Sequence, residues 1–216
     1  LSPRTIQGDV RIGGFGGSDG LEAYIKSESV SVLIDATHPF AEKISWSANK
    51  VASRLCLPYL SLRRPKWMLP TEFNIRYVSD TISAADELKQ IPAKRVMLTT
   101  GLQSLNSFTM LSDIWFLVRL IEPSTINATL LNAKFIFGRP PFSVGQEKKL
   151  LQQNNIDTLI SKDSGGMLTQ AKFFAANSLD VNIILIDRPA VPPSEHVECP
   201  TDAVDWLQSV LGRKTW

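Results

Sequence analysis

Residues 158–176 read TLISKDSGGMLTQAKFFAA. An apolar run at Leu159 and Ile160 stops at Lys162-Asp163-Ser164-Gly165-Gly166. A helical stretch follows, with Leu168, Ala171, Phe174 and Ala175 on one face. Such a junction offers an ammonium, a carboxylate and a hydroxyl together. Glycine permits the tight turn, and Asp163 or Ser164 is expected to cap the helix. Free N–H groups at a helix start beside a lysine also suit an anion. Lys172 follows further along, facing either a cleft or solvent.

Two other stretches carry comparable chemistry. In VLIDATHPFAEKIS, residues 32–45, a buried strand ends at Asp35 and Thr37-His38-Pro39 follow. Pro39 suits the first turn of a helix, where its missing N–H is not needed. That places Thr37 and His38 at the helix mouth. His38 can donate a hydrogen bond, or a proton near neutral pH, or can serve as a capping residue. Upstream, Gly13-Gly14-Phe15-Gly16-Gly17-Ser18-Asp19-Gly20 nearly matches a dinucleotide fingerprint. Gly14 and Gly16 are correctly spaced, but the third glycine stands at 20 rather than 19. Either a tight turn or a close backbone approach to a ligand explains the glycines. Other strand exits bear Arg64, Thr100-Gly101, Arg139 (with Glu147 beyond) and Arg188. If these exits and Lys162 share one cleft, it is cationic and suits a small ligand with several carboxylates or phosphates. Otherwise they are solvated surface cations.

The elements that must position these groups alternate. Short apolar, β-branched runs stand at Val10–Ile12, Val30–Asp35, Tyr59–Leu62, Ile75–Val78, Val96–Thr100, Phe116–Leu120, Lys134–Phe137, Asp157–Ser161 and Asn182–Asp187. Amphipathic stretches stand at Gly20–Lys26, Phe40–Leu55, Thr81–Gln90, Leu102–Leu111, Gly145–Asn154, Met167–Leu179 and Asp202–Leu211. Such alternation implies an α/β chain with mainly parallel sheets covered on both faces. Ligands then sit at the carboxyl ends of the strands. QIPAKR, with Pro92, suggests a boundary between domains 1–92 and 93–216, the final helix packing back on the first.

Composition narrows the class. The chain has 216 residues, 44% of them hydrophobic, and a net charge of +2, which disfavours broad nucleic-acid binding. No apolar run approaches the ~18 residues of a membrane span. Cys56 and Cys199 and the two histidines lack metal-ligand spacing. Reduced thiols in a cytoplasmic protein are the expectation.

In order, GGFGG, DATHPFA, RRP with Trp67 nearby, a strand ending TTG, GRPPF with Glu147, KDSGGMLTQAK and DRP resemble the precorrin-6A reductase family of corrin biosynthesis, from about residue 8 to residue 212. The resemblance implies two Rossmann-like domains with a cleft between them. It implies a hydride taken from NADPH, or NADH in some relatives, and delivered to the C18–C19 double bond of a polycarboxylate tetrapyrrole, metal-free or carrying cobalt. Cofactor contacts are then expected at Gly14, Phe15, Gly16, Gly17, Thr37, His38, Pro39, Thr100 and Gly101. Substrate contacts are expected at Arg64, Arg139, Lys162, Asp163, Ser164, Gly165, Gly166, Lys172 and Arg188. Lys162, Asp163 and His38 are the candidate proton donors, with no resident metal. Family members begin with a further strand, GGT-type loop and helix that contribute cofactor contacts. The rival expectation is therefore a non-catalytic binding module. A phosphoryl- or methyl-transferring enzyme is the third reading, against which stands the lack of a P-loop motif.

Overall fold

The computed structural model describes residues 8–123 and 130–212. The chain divides into two compact units. One takes the chain up to Pro65 together with the segment from Pro189 onward; the other is Lys66–Arg188.

In the first unit, α1 (Ser18–Ser27), β1 (Leu33–Asp35), α2 (Glu42–Arg54) and β2 (Tyr59–Leu62) follow in order. Beyond the second unit the chain returns as β9 (His196–Val197) and α6 (Pro200–Gly212). The sheet is β1-β2-β9, wholly parallel, with Ile34 beside Leu60 and Ser61 beside His196. Leu21 and Ile25 of α1 pack with Ala48 and Val51 of α2 into one buried cluster. The last helix packs on β2 and β9. Val10–Ile12 forms no strand; Ile12 is almost fully exposed, and no strand among the described residues pairs with it.

The second unit holds six parallel strands in the order β3-β8-β7-β4-β5-β6. They are β3 (Ile75–Val78), β4 (Arg95–Thr99), β5 (Trp115–Leu120), β6 (Ala133–Phe137), β7 (Thr158–Lys162) and β8 (Asn182–Ile186). The helices are α3 (Thr81–Leu88), α4 (Val144–Gln153) and α5 (Ala171–Asn177). Central β4, β7 and β8 are buried nearly end to end, which is why they read as unbroken apolar runs. Met97, Leu117, Leu159, Ile183 and Phe173 meet in the core. Each such side chain contributes roughly 1.5–3 kcal/mol by leaving water.

The boundary expected near Pro92 falls inside this unit, between α3 and β4. Strand β3 pairs with β8 throughout, from Ile75–Ile183 to Val78–Ile186, so β3 belongs to the second sheet and α3 to the same unit. Pro92 punctuates a helix-to-strand turn there, whereas the chain leaves the first unit at Arg64-Pro65. Leu102–Phe108, expected as an α-helix, is a 3-10 helix. Its start is held by the Ser104 hydroxyl donating to the carbonyls of Thr100 and Gly101 at 2.9 and 2.8 Å. Strand β9 has no sequence signature, being two residues in a proline-rich tail.

Helix ends are defined by local chemistry. Asp80 caps α3, accepting from Ser83 N at 2.7 Å. Ser143 and Gln146 form a reciprocal capping box on α4. α1, α2, α4 and α5 close alike: Ser29, Cys56, Asn155 and Asp180 take left-handed φ of 48–54°, and the next residue donates back to the last turn.

Candidate active site

All strands in each sheet run parallel, so each sheet collects its strand exits along one edge. In the first unit that edge carries the segment after β1. Asp35 is buried; its carboxylate accepts from the Thr37 amide at 3.0 Å and from the Tyr59 hydroxyl at 3.1 Å. Burial pushes this carboxyl's pKa upward, but hydrogen bonds from Ser45, Thr37 and Tyr59 outweigh it and leave the group below its ordinary value. Burial, and then the Asp35 charge, push the Tyr59 hydroxyl up, so Tyr59 stays a donor. This pair fixes how Thr37-His38-Pro39 leaves the strand. His38 Nδ1 accepts from the Phe40 amide at 3.2 Å, which puts a neutral ring's proton on Nε2. Pro39 lies in a turn ahead of α2 rather than in its first turn, and neither Thr37 nor His38 caps the helix.

The glycine loop enters α1 through Gly17, which bears no capping side chain. Gly16 has φ of 81°, which favours glycine, whereas Gly14 has open space where a Cβ would stand. The glycine at 20 has its own reason: a Cβ there would lie 1.7 Å from the Phe15 carbonyl oxygen. The off-spacing glycine is thus a close approach of helix to loop, the task of a fingerprint's third glycine. Arg64, exposed after β2, stands on the same sheet's exits; its neighbour Arg63 is taken up by Ser61, Ser194 and the Pro192 carbonyl.

In the second unit, Lys162 ends β7, and burial lowers the pKa of its ammonium. Asp163 is buried. Its carboxylate lies 3.5 Å from the Trp67 amide and 3.9 Å from the Lys66 ammonium, and its carbonyl accepts from Arg188 Nε at 2.8 Å. The expected helix cap is not made: neither the 3-10 turn at Met167–Thr169 nor α5 has a side-chain cap. Trp67 instead secures the loop, its indole N–H donating to Gly166 O at 2.7 Å. Gly165 and Gly166 both have positive φ. Ser164 lies in the same turn.

Thr100 and Gly101 follow β4. The Thr100 hydroxyl is buried with no partner among the described residues. Arg139, after β6, pairs with Glu122. Lys172, expected to face either a cleft or solvent, does not face solvent. It is buried, its ammonium 5.0 Å from the centre of the Trp67 ring and 5.0 Å from that of Phe173. Among the described residues, no group of His, Cys, Asp and Glu could hold a metal ion.

Residues 1–208 match the family model described as Precorrin-6x reductase CbiJ/CobK. The chain belongs to the precorrin-6x reductase family. It is 38% identical over 212 residues to a precorrin-6A reductase of Rhodococcus erythropolis, covering 98% of this chain and 85% of that one. A precorrin-6A reductase of Mycobacterium tuberculosis is 42% identical over 191 residues, covering 88% and 77%. A cobalt-precorrin-6A reductase of Synechocystis is 33% identical over 183 residues, covering 80% and 69%. The solved structure of CobK precorrin-6A reductase superposes with a TM-score of 0.87 at 36% identity, over 92% of this chain and 81% of that one. The resemblance and the α/β architecture read from the sequence both hold.

Lys66 and Arg119 escaped the sequence reading, and Trp67 entered it only as a neighbour of RRP. Lys66 and Trp67 follow a proline and give no local sign that they reach Asp163 and Gly166, about 100 residues away. Arg119 had a sign, being a charge inside an otherwise buried strand.

Proposed function

We propose that this chain is an NAD(P)H-dependent reductase of precorrin-6A, or of its cobalt analogue, acting in the cytoplasm. The reading is supported above all by a family match that runs through every loop described here, from GGFGG to DRP. When bound, the nicotinamide supplies a hydride for the C18–C19 double bond, and a proton is needed at the neighbouring carbon.

The residues present fit such a cofactor. In the first unit, the space at Gly14 admits a ligand to within backbone reach, and Gly17 leaves the first amides of α1 uncapped. Phe15 and Gly16 complete that loop, and Thr37, His38 and Pro39 follow the adjoining strand. In a neutral ring, His38 Nε2–H serves as a hydrogen-bond donor. In the second unit, the buried Thr100 hydroxyl lacks a partner that a bound polar group would supply, beside Gly101.

Arg64, Arg139 and Arg188 provide cationic strand exits for the substrate's carboxylates, and Ser164, Gly165 and Gly166 provide a turn with exposed backbone. Of the three candidates, Lys162 is assigned the proton transfer on its burial. Its burial favours release of the proton, the property wanted in a general acid near neutral pH. Asp163 instead accepts from Trp67 and faces Lys66, while His38 Nδ1 accepts from the Phe40 amide.

The test is anaerobic turnover of precorrin-6A with NADPH, following nicotinamide absorbance and product mass together. Loss of absorbance matched by a product heavier by two hydrogens is expected. Folded protein that binds the macrocycle without reducing it would overturn the reading. Lys162→Met should lower kcat about a hundredfold or more, within the usual range for a lost general acid, with a much smaller change in KM.

A further inference from the structure

Arg119 stands in β5 between the buried residues Val118 and Leu120. Its partner is Glu147 of α4, whose side chain is only 3% exposed. The pairing is end-on: a single nitrogen, Nη1, lies 2.9 Å from both carboxylate oxygens. A side-on pair would use two nitrogens. Glu147 is thereby satisfied, yet no described residue accepts from Nε or Nη2 of Arg119. The guanidinium also lies over the Phe142 ring, 4.6 Å from its centre.

Beside this pair is a cavity of about 200 Å³ lined by Arg119, Glu147, Ile136, Phe137, Gly138 and Phe142, among others. Its walls are largely apolar, and one guanidinium with unused donors stands among them. Charge is also unbalanced there. Lys172 of α5 is a second buried cation near the pair, facing Arg119 from β5, Glu147 from α4 and the rings of Trp67 and Phe173. Burial, and then the Arg119 charge, lower its ammonium to about 7, against the opposing pull of Glu147. With Lys172 protonated, two cations face one anion.

We propose that this cavity seats a short alkyl carboxylate: one carboxylate arm of the substrate, its charge on the unused edge of Arg119 and its methylenes against Ile136, Phe137 and Phe142. This rests on the reading that the substrate is a polycarboxylate tetrapyrrole. The same carboxylate completes the charge count, so its binding draws a proton onto Lys172.

Propionate is the probe, with propionamide as its uncharged counterpart. The intact chain is titrated with each while NMR follows the Arg119 Nε–H and the Gly138 and Gln146 amides. Two variants close the cavity without removing a charge. Ile136→Phe fills it, and Gly138→Ala places a Cβ 3.0 Å from the Phe142 ring. Saturable shifts at those groups with propionate, absent with propionamide and weakened tenfold or more in either folded variant, are expected. Equal response to propionamide, or shifts only elsewhere, overturns the proposal. For the arm, both variants should raise the KM for precorrin-6A about tenfold with little change in kcat. An unchanged KM alongside weakened propionate binding would assign the cavity to a free carboxylate and overturn the arm. A parent chain that takes propionate there but never reduces precorrin-6A would sink the reductase reading and the arm with it, while supporting the carboxylate seat.

Discussion

A lysine removed from water gives up its proton earlier than one at the surface. Unfolded, Lys172 holds its proton to about pH 10.4; folded, it releases it at about 7. Between those values the unfolded chain binds the extra proton, so stability rises with pH, and below the folded value the full burial cost is present. Lys172→Met keeps the length and removes the charge. The variant should be more stable than its parent by a few kcal/mol at about pH 6.5, with the gain shrinking by about pH 9.5. Urea titrations at the two pH values check this, and a pH-independent gain would remove the titration from the account. The glycine loop allows an equally direct contrast. Gly14→Ala meets nothing and should leave the melting temperature unchanged while weakening nicotinamide binding. Gly20→Ala drives a methyl group into the Phe15 carbonyl and should lower both. Unaltered affinity in the Gly14 variant would reduce GGFGG to a turn. Residues such as Lys162, Thr100 and His38 could be picked out from sequence because polar groups directly follow apolar runs. The reach of Trp67 to Gly166 and the inward turn of Lys172 could not, because packing between distant segments decides them.

At the scale of elements, most strands and helices were legible from apolar periodicity, and their errors have local causes. The run from Val30 to Asp35 yields only β1, because the Val30 amide is taken by Ile25 O to close α1. The same closure recurs at Leu57, Ile156 and Val181, each donating to the last turn of the preceding helix. Cys56 occupies the left-handed position of one such turn, at φ of 53°. Relief of left-handed strain is worth about 1–2 kcal/mol, against about 0.5–1 kcal/mol lost to glycine's freedom. Cys56→Gly should therefore stabilise the chain by about 0.5–1 kcal/mol. Asn155→Gly should be near neutral, since asparagine already tolerates that conformation. Thermal melts of the two variants distinguish them; equal shifts would show that strain at Cys56 does not set the difference.

At the scale of the molecule, the second unit is one uninterrupted segment and the first is two. The segment's ends meet at one residue: Trp67 N faces the Asp163 carboxylate, and Arg188 donates to its carbonyl. With its six strands and core contained between those ends, residues 66–188 expressed alone should unfold cooperatively in urea. A gradual, non-cooperative loss of signal would show that it depends on the flanking segments. No local sequence feature announces this arrangement, because parallel pairing of β2 with β9 joins residues far apart in the chain. That pairing has a consequence during synthesis. Leu62 ends β2, and its partner in β9, Val197, emerges about 135 residues later. At about 5–20 residues per second, the ribosome takes roughly 7–27 s to cover that distance. In the interval the later-made unit can complete its own sheet while the earlier-made strands keep an edge unpaired. The part of the polypeptide that emerges first is thus the last to close, and its exposed edge is where a chaperone or a protease would find the nascent chain.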